Sequence, residues 1–235
     1  MYKKLLFILL CFSLTACDQL QEVVNQLPQT QSVLSNADIA SGLREALNQG
    51  IDKQVSKLTQ EDGFFKNELV KIVLPDELQK VDEGLRKIGL GNLADEGLKV
   101  LNRAAEDAVK EATPIFVNAV KDITFDDAKN ILLGDDDAAT QYLTNKTQAA
   151  LYDKFHPVIQ NSFAKVGADQ IWNNLINKYN NIPFTNDVNP DLTDYVTNQA
   201  LEGVFTMIAV EEQDIRNKVE SRTTDLLKKV FALQD

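Results

Sequence analysis

Apolar residues recur every three or four positions along almost the whole of this chain, and clean period-two alternation is nearly missing. A period near 3.6 puts such residues on one face of a helix, whereas a half-buried strand needs strict alternation. The pattern therefore predicts an all-α fold: a single, bundle-like, multi-helix domain over about residues 36–235. With 235 residues and 44% hydrophobic content, the chain has enough apolar mass for one substantial core.

The first stripe follows Asn36, a good N-cap, through Ile39, Leu43, Leu47, Ile51, Val55 and Leu58, and predicts a helix over about 37–59. Asp62-Gly63 then turns the chain. Glu68–Leu74 is ambiguous: Val70, Ile72 and Leu74 alternate, but Leu69 and Val73 are also apolar, and a lone strand needs a partner that the pattern does not supply. Pro75 opens a helix through Ile88 that Gly89 and Gly91 end. A long stripe from Asn92 to about Asp122 is kinked or divided by Pro114 near Thr113. Thr124-Phe125-Asp126-Asp127 is a capping box with Asp in place of Glu, and opens a short helix that Gly134 stops. Asp135–Asp137 place acid before a helix that runs from Ala138 to Phe155 and continues from Pro157 to Gly167. Further helical patterns cover 168–181, 191–212 and 213–232, with a loop over 180–190.

The N-terminus carries an address. Lys3 and Lys4 precede the apolar run Leu5–Leu14, which is far shorter than the ~20 residues of a membrane-spanning helix. Leu14-Thr15-Ala16-Cys17 resembles the bacterial lipobox, in which a peptidase cuts before the cysteine and the thiol carries lipid. The domain expectation is thus a cleaved lipoprotein signal peptide over 1–16, lipidated Cys17 with a Gln- and Asn-rich tether over 17–35, and the helical domain beyond. As a flexible coil, ~18 residues reach roughly 25 Å. Loss of Lys3 and Lys4 takes the 24 basic residues to 22 against 35 acidic ones, moving the net charge from −11 to −13. An acidic body is repelled by an anionic leaflet, so the lipid on Cys17 is what would tie it to a membrane. Asp18-Gln19 resembles an inner-membrane retention signal, with the outer membrane left open.

Composition also excludes. One His and two Cys, with Cys11 lost in the signal and Cys17 taken by lipid, leave no His/Cys zinc site, iron–sulfur cluster or haem attachment. No metal and no cofactor is expected. The acidic balance argues against nucleic acid, which needs clustered Lys and Arg. No GxSxG, P-loop, GxGxxG or HExxH occurs.

Two polar groups stand out on the helical stripes. Asn102, Arg103 and Glu106 are neighbours on one helix surface; Glu211 and Glu212 precede Arg216, with Glu212 and Arg216 four apart in the favourable order. Joined in one pocket, they would clamp an anion and supply an acid or base; as separate pairs they fix helix packing. Asp187-Val188-Asn189-Pro190-Asp191 opens like a calcium loop but has Leu192 at its sixth position and Asn198 at its twelfth, so a helix cap is the better account. His156 before Pro157 reads as a joint residue. Asp62, Phe64 and Asn67 form a candidate interaction loop, with insertion of Phe64 and Phe65 into the core as the structural alternative.

Asp62-Gly63-Phe64 with Asn67, Leu74-Pro75, Asn102-Arg103-Ala104-Ala105-Glu106, Asp127-Ala128 with Ile131-Leu132 and Gly134, and Ala138-Ala139-Thr140 with Tyr142 belong to a larger pattern. It continues through Tyr195-Val196-Thr197, Ala200-Leu201 with Gly203, Glu211-Glu212, Ile215-Arg216 and Leu226-Leu227-Lys228-Lys229-Val230-Phe231. Together these resemble the DUF4197 family of bacterial envelope proteins. The resemblance implies a helical, usually lipid-anchored or secreted protein of Gram-negative bacteria, and implies no activity, ligand or catalytic residue. The chain departs from the family after Arg216, where acidic-then-proline is replaced by Asn217-Lys218-Val219, implying a more continuous final helix.

The functional expectation is a non-enzymatic binding module of the cell envelope, facing the periplasm, with an unknown envelope protein or ligand as partner. The alternatives are a hydrolase using Glu106, Glu211 or Glu212 beside Arg103 or Arg216, and a carrier of an apolar ligand in a helical cavity. Oligomeric state stays open.

Overall fold

Helix forms where the 3.6 period is strongest. The computed structural model describes residues 34–75, 79, 83, 86–87, 89, 91–181, 183, 187, 189 and 191–234, and no strand occurs among them. The expected all-α fold is the observed one. Contacts divide the chain into Met1–Ser35 and Asn36–Asp235, and every helix below belongs to the second unit. The signal peptide, Cys17 and nearly all of the tether lie outside the described residues. So does most of the helix expected from Pro75 to Ile88, although Gln79, Glu83, Arg86 and Lys87 are helical.

Helix α1 (Asn36–Leu58) buries Leu43, Leu47, Ile51, Val55 and Leu58, the stripe read from the sequence. The long stripe that follows divides at Lys110–Glu111 into α2 (Gly91–Val109) and α3 (Ala112–Lys121). Pro114 thereby falls in the first turn of α3, where a missing N–H breaks no intrahelical bond. The capping box forms as expected at α4 (Phe125–Leu132): Thr124 Oγ1 accepts the Asp127 N–H at 3.1 Å, and Asp127 Oδ2 accepts the Thr124 N–H at 3.0 Å.

Three boundaries differ from the sequence reading. Helix α5 (Ala138–Ala164) passes through Pro157 without interruption. Proline removes one backbone bond there, but Leu151, Phe155, Ile159 and Phe163 are wholly buried along the same face, and that burial holds the helix. After α6 (Ala168–Asn180), helix α7 (Leu192–Asn217) extends past the expected boundary at 212. It then ends, followed by a 3-10 turn (Val219–Ser221) and α8 (Asp225–Phe231), so the final helix is not continuous. The buried Arg222 explains the stop, since it donates to the carbonyls of Ile215 and Arg216 at 3.0 and 2.8 Å.

Helices α5 and α7 pack along each other; α2 lies on both, while α1 runs over α7 and touches α3 and α4. Phe64, Phe116, Phe155 and Phe163 fill the interior. Burying each such ring is worth about 1.5–3 kcal/mol.

The ambiguous segment is neither helix nor paired strand. It is irregular, with Val70 and Ile72 facing in and Leu69 and Val73 facing out. Its missing partner is a side chain. Asn102 on α2 accepts the Ile72 N–H at 2.8 Å and donates to the Ile72 carbonyl at 2.9 Å, the reciprocal pair that a neighbouring strand would supply.

Candidate functional site

The residues singled out by pattern gather into three polar clusters, each with its own structural task. The first holds the 61–67 turn against α2. Glu106, only 3% exposed, accepts the Phe64 N–H at 3.1 Å and Arg103 Nη1 at 2.7 Å. Arg103 Nη2 reaches back to Glu61 and Asp62, both at 2.8 Å. Asp62 sits at φ +66°, and the next residue has no room for a side chain: a Cβ on Gly63 would lie 2.5 Å from the Leu58 carbonyl oxygen. The hydrogen bond from Lys66 holds the Asp62 carboxyl below the usual carboxylate range, with Arg103 adding to it.

That turn drives Phe64 into the core, where a Cβ on Gly203 would stand 2.7 Å from its ring. Asn67 folds back on its own segment, its Oδ1 accepting the Leu69 N–H at 3.2 Å. Of the candidate interaction loop, then, Phe64 is an anchor and Asp62 and Asn67 shape the turn. The groups it leaves at the surface are the half-buried Phe65, which carries Lys71 Nζ 4.8 Å above its ring, and the exposed Leu69 and Val73.

The second cluster centres on Glu211, which accepts Lys53 Nζ at 2.7 Å and Gln54 Nε2 at 2.6 Å across the α1–α7 contact. The third is the most heavily bonded. Glu212 takes the Ala139 N–H at 2.9 Å on one oxygen, and the Thr140 N–H and hydroxyl, both at 2.8 Å, on the other. These are the N-terminal amides of α5, whose own N-cap Asp137 makes no side-chain cap bond. Arg216 donates to Glu212 at 3.0 and 2.7 Å, and to the carbonyls of Ile131 and Leu132 at 2.8 and 3.2 Å. An anion thus sits on the positive end of α5 and a cation on the negative end of α4, each where the helix dipole favours it.

Arg103 pairs with Glu106 and Arg216 with Glu212, but among the described residues no hydrogen bond or ion pair joins the two sets. Glu211, Glu212 and Arg216 border a cavity of about 30 Å³ whose other walls are apolar, among them Leu43, Ile51, Ile208 and Phe231. That is room for one or two water molecules, against the roughly 300 Å³ at the lower end of ligand sites.

The lesser motifs resolve similarly. Asp191 caps α7 by accepting the Asp194 N–H at 3.0 Å, as the cap reading required. Among the described residues no three His, Cys, Asp or Glu side chains converge as a metal site. His156 lies against Tyr152, ring centres 5.5 Å apart, and the Tyr152 hydroxyl donates to Asp194 at 2.7 Å. That bond and partial burial push the phenol up to about 12. No described helix is long and apolar enough to cross a membrane.

Sequence patterning does not disclose Arg222. Its signal is indirect: α7 ends with neither Gly nor Pro, so its last carbonyls need donors from elsewhere. Arg44, which donates to the Ile123 carbonyl from α1, escapes notice because its partner lies 79 positions away.

A family described as "Protein of unknown function (DUF4197)" matches residues 33–232. No curated protein and no solved structure matches the chain.

Proposed function

The chain belongs to the DUF4197 family, and we propose that it is a bacterial envelope lipoprotein whose helical domain is a non-enzymatic binding module facing the periplasm. One observation favours this reading over an enzymatic one: Glu106, Glu211 and Glu212 are all committed to backbone N–H groups or to cationic and amide side chains. A general acid or base must reach substrate, and these carboxylates already hold the fold together. The hydrolase alternative would need one of them free beside Arg103 or Arg216, and the carrier alternative an enclosed apolar cavity, whereas the roomier hollow that Arg216 borders, about 400 Å³ between Leu132–Asp136 and Leu233–Gln234, is open and largely polar. The anchor half rests on Leu14-Thr15-Ala16-Cys17 after its short apolar run.

Two measurements test the halves separately. Cells fed a labelled fatty acid should mark the wild-type chain and not the Cys17→Ser variant; a label that survives the substitution overturns the anchor. Crosslinking in intact envelopes, followed by recovery of the chain, should capture a specific partner. Recovery of nothing above background overturns the binding role.

A further inference from the structure

We propose that α8 is an exchangeable strap: the bend between α7 and α8 straightens, and α8 then seats in the α1 groove of a second copy of this chain. The first argument is chemical. The bend over residues 218–224 reads Lys-Val-Glu-Ser-Arg-Thr-Thr, with neither Gly nor Pro, so nothing in its covalent structure forbids helix. Apolar positions Ile208, Ile215, Val219, Leu226 and Val230 keep helical spacing straight across it. The bent form breaks that stripe and leaves Val219 56% exposed.

The second argument is where the bend gets its support. Arg222 caps the end of α7 through the Ile215 and Arg216 carbonyls, and its guanidinium lies 5.8 Å from the Phe231 ring of α8. One side chain therefore fastens both the helix end and the strap. Thr223 adds a bond to Gln49 of α1 at 2.6 Å.

The third argument is the groove itself. A seven-residue helix does not persist alone in water, so α8 exists by virtue of what it packs on, chiefly α1. Leu227, Val230 and Phe231, at i, i+3 and i+4, are its buried anchors. Gly42 is cut to fit them, since a Cβ there would lie 2.7 Å from Val230 Cγ2. The surface is thus shaped for this sequence, and an α8 from a second copy makes the same contacts. Exchange then keeps the groove filled, and the cost is association entropy, the lost Arg222 caps, the Thr223–Gln49 bond and the N-cap that Thr224 gives α8 by accepting the Leu227 N–H at 3.2 Å. A straight helix of ~40 residues is about 60 Å long, which carries α8 beyond its own groove.

Cysteine placement reads the two states directly. A Cβ on Gly42 stands 3.3 Å from Val230 Cβ, close to the roughly 3.5–4.5 Å of a disulfide. The mature chain, residues 17–235 with Cys17→Ser, contains no other cysteine, and into it go Gly42→Cys and Val230→Cys. In dilute solution oxidation should close the bond within one chain. As concentration rises, non-reducing gels should show covalent dimer, and light scattering of the chain without the pair should show dimer in parallel. Arg222→Ala should raise the dimer fraction several-fold at any one concentration. If that variant does not fold, the concentration series with Arg222 intact decides alone. Bonds that stay within one chain at every concentration, including under conditions where light scattering reports dimer, overturn the exchange.

Discussion

At the scale of single residues, Glu212 ties three parts of the fold together. It satisfies two amides at the start of α5 and pairs with an arginine that is itself buried, 7% exposed. Glu212→Ala leaves that guanidinium without its counter-charge and is expected to cost about 3–5 kcal/mol in denaturant unfolding. Glu212→Gln keeps an acceptor for one amide and should cost less. Tyr152 offers a pH signature. Its folded pKa, about 12, lies above the ordinary 10, so the hydrogen bond to Asp194 stabilises fully below pH 10 and fades as pH rises from 10 through 12. Tyr152→Phe should lose about 1 kcal/mol at neutral pH. The stability gap between the two proteins should close across that alkaline window.

Residue-level pairs were legible where both partners are local. Arg103–Glu106, Glu212–Arg216 and Thr124–Asp127 are three or four positions apart, and each forms. What the spacing could not convey is what else each pair holds: Phe64 is 42 positions from Glu106, and Leu132 is 84 from Arg216. Those partners exist only once helices pack, so the spacing conveys each pair and not what the pair fastens.

At the scale of elements, the segment before Pro75 is held by the Asn102 amide at Ile72 and by the Tyr195 hydroxyl, which donates to the Val73 carbonyl at 2.6 Å. Asn102→Ala removes two bonds to the Ile72 backbone and one to Leu98. Each buried group left unpaired costs about 1–3 kcal/mol. The variant should therefore unfold at markedly lower denaturant, and amides near Ile72 should exchange faster while those of α5 keep their relative protection. Asn102→Asp is a sharper case, since it retains the acceptor for Ile72 N–H and loses both donors. The ambiguity of Glu68–Leu74 in sequence has the same root: alternation announced an extended segment, and nothing in local patterning says that a side chain will serve as its neighbour. Pro157 misled in the opposite direction, because the burial that carries α5 past it comes from other helices.

At the scale of the whole molecule, stability is graded along the chain. Helices α5 and α7 bury side chains on several neighbours, whereas α8 has mainly α1 beneath it. Local opening follows such differences. Hydrogen exchange should find α8 amides protected well below those of α5 and α7, and Arg222→Ala should widen the gap; uniform protection from Leu192 to Phe231 would contradict this. The all-α class and most helix positions followed from periodicity alone, because period survives whatever packs against it. The bend after Asn217 did not, since its cause is a buried arginine acting on carbonyls six and seven positions back.

The Glu212–Arg216 pair has a consequence for how the chain is strung. Both facing helix ends at the α4–α5 junction receive their caps from α7, and the turn Leu133–Asp137 contributes no side-chain cap to α5. Backbone continuity there adds the bond from the Ala138 N–H to the Asp135 carbonyl at 3.0 Å. A permuted chain opened between Asp135 and Asp136, with its old termini joined by a linker, would give up that bond and keep the caps that Glu212 and Arg216 supply.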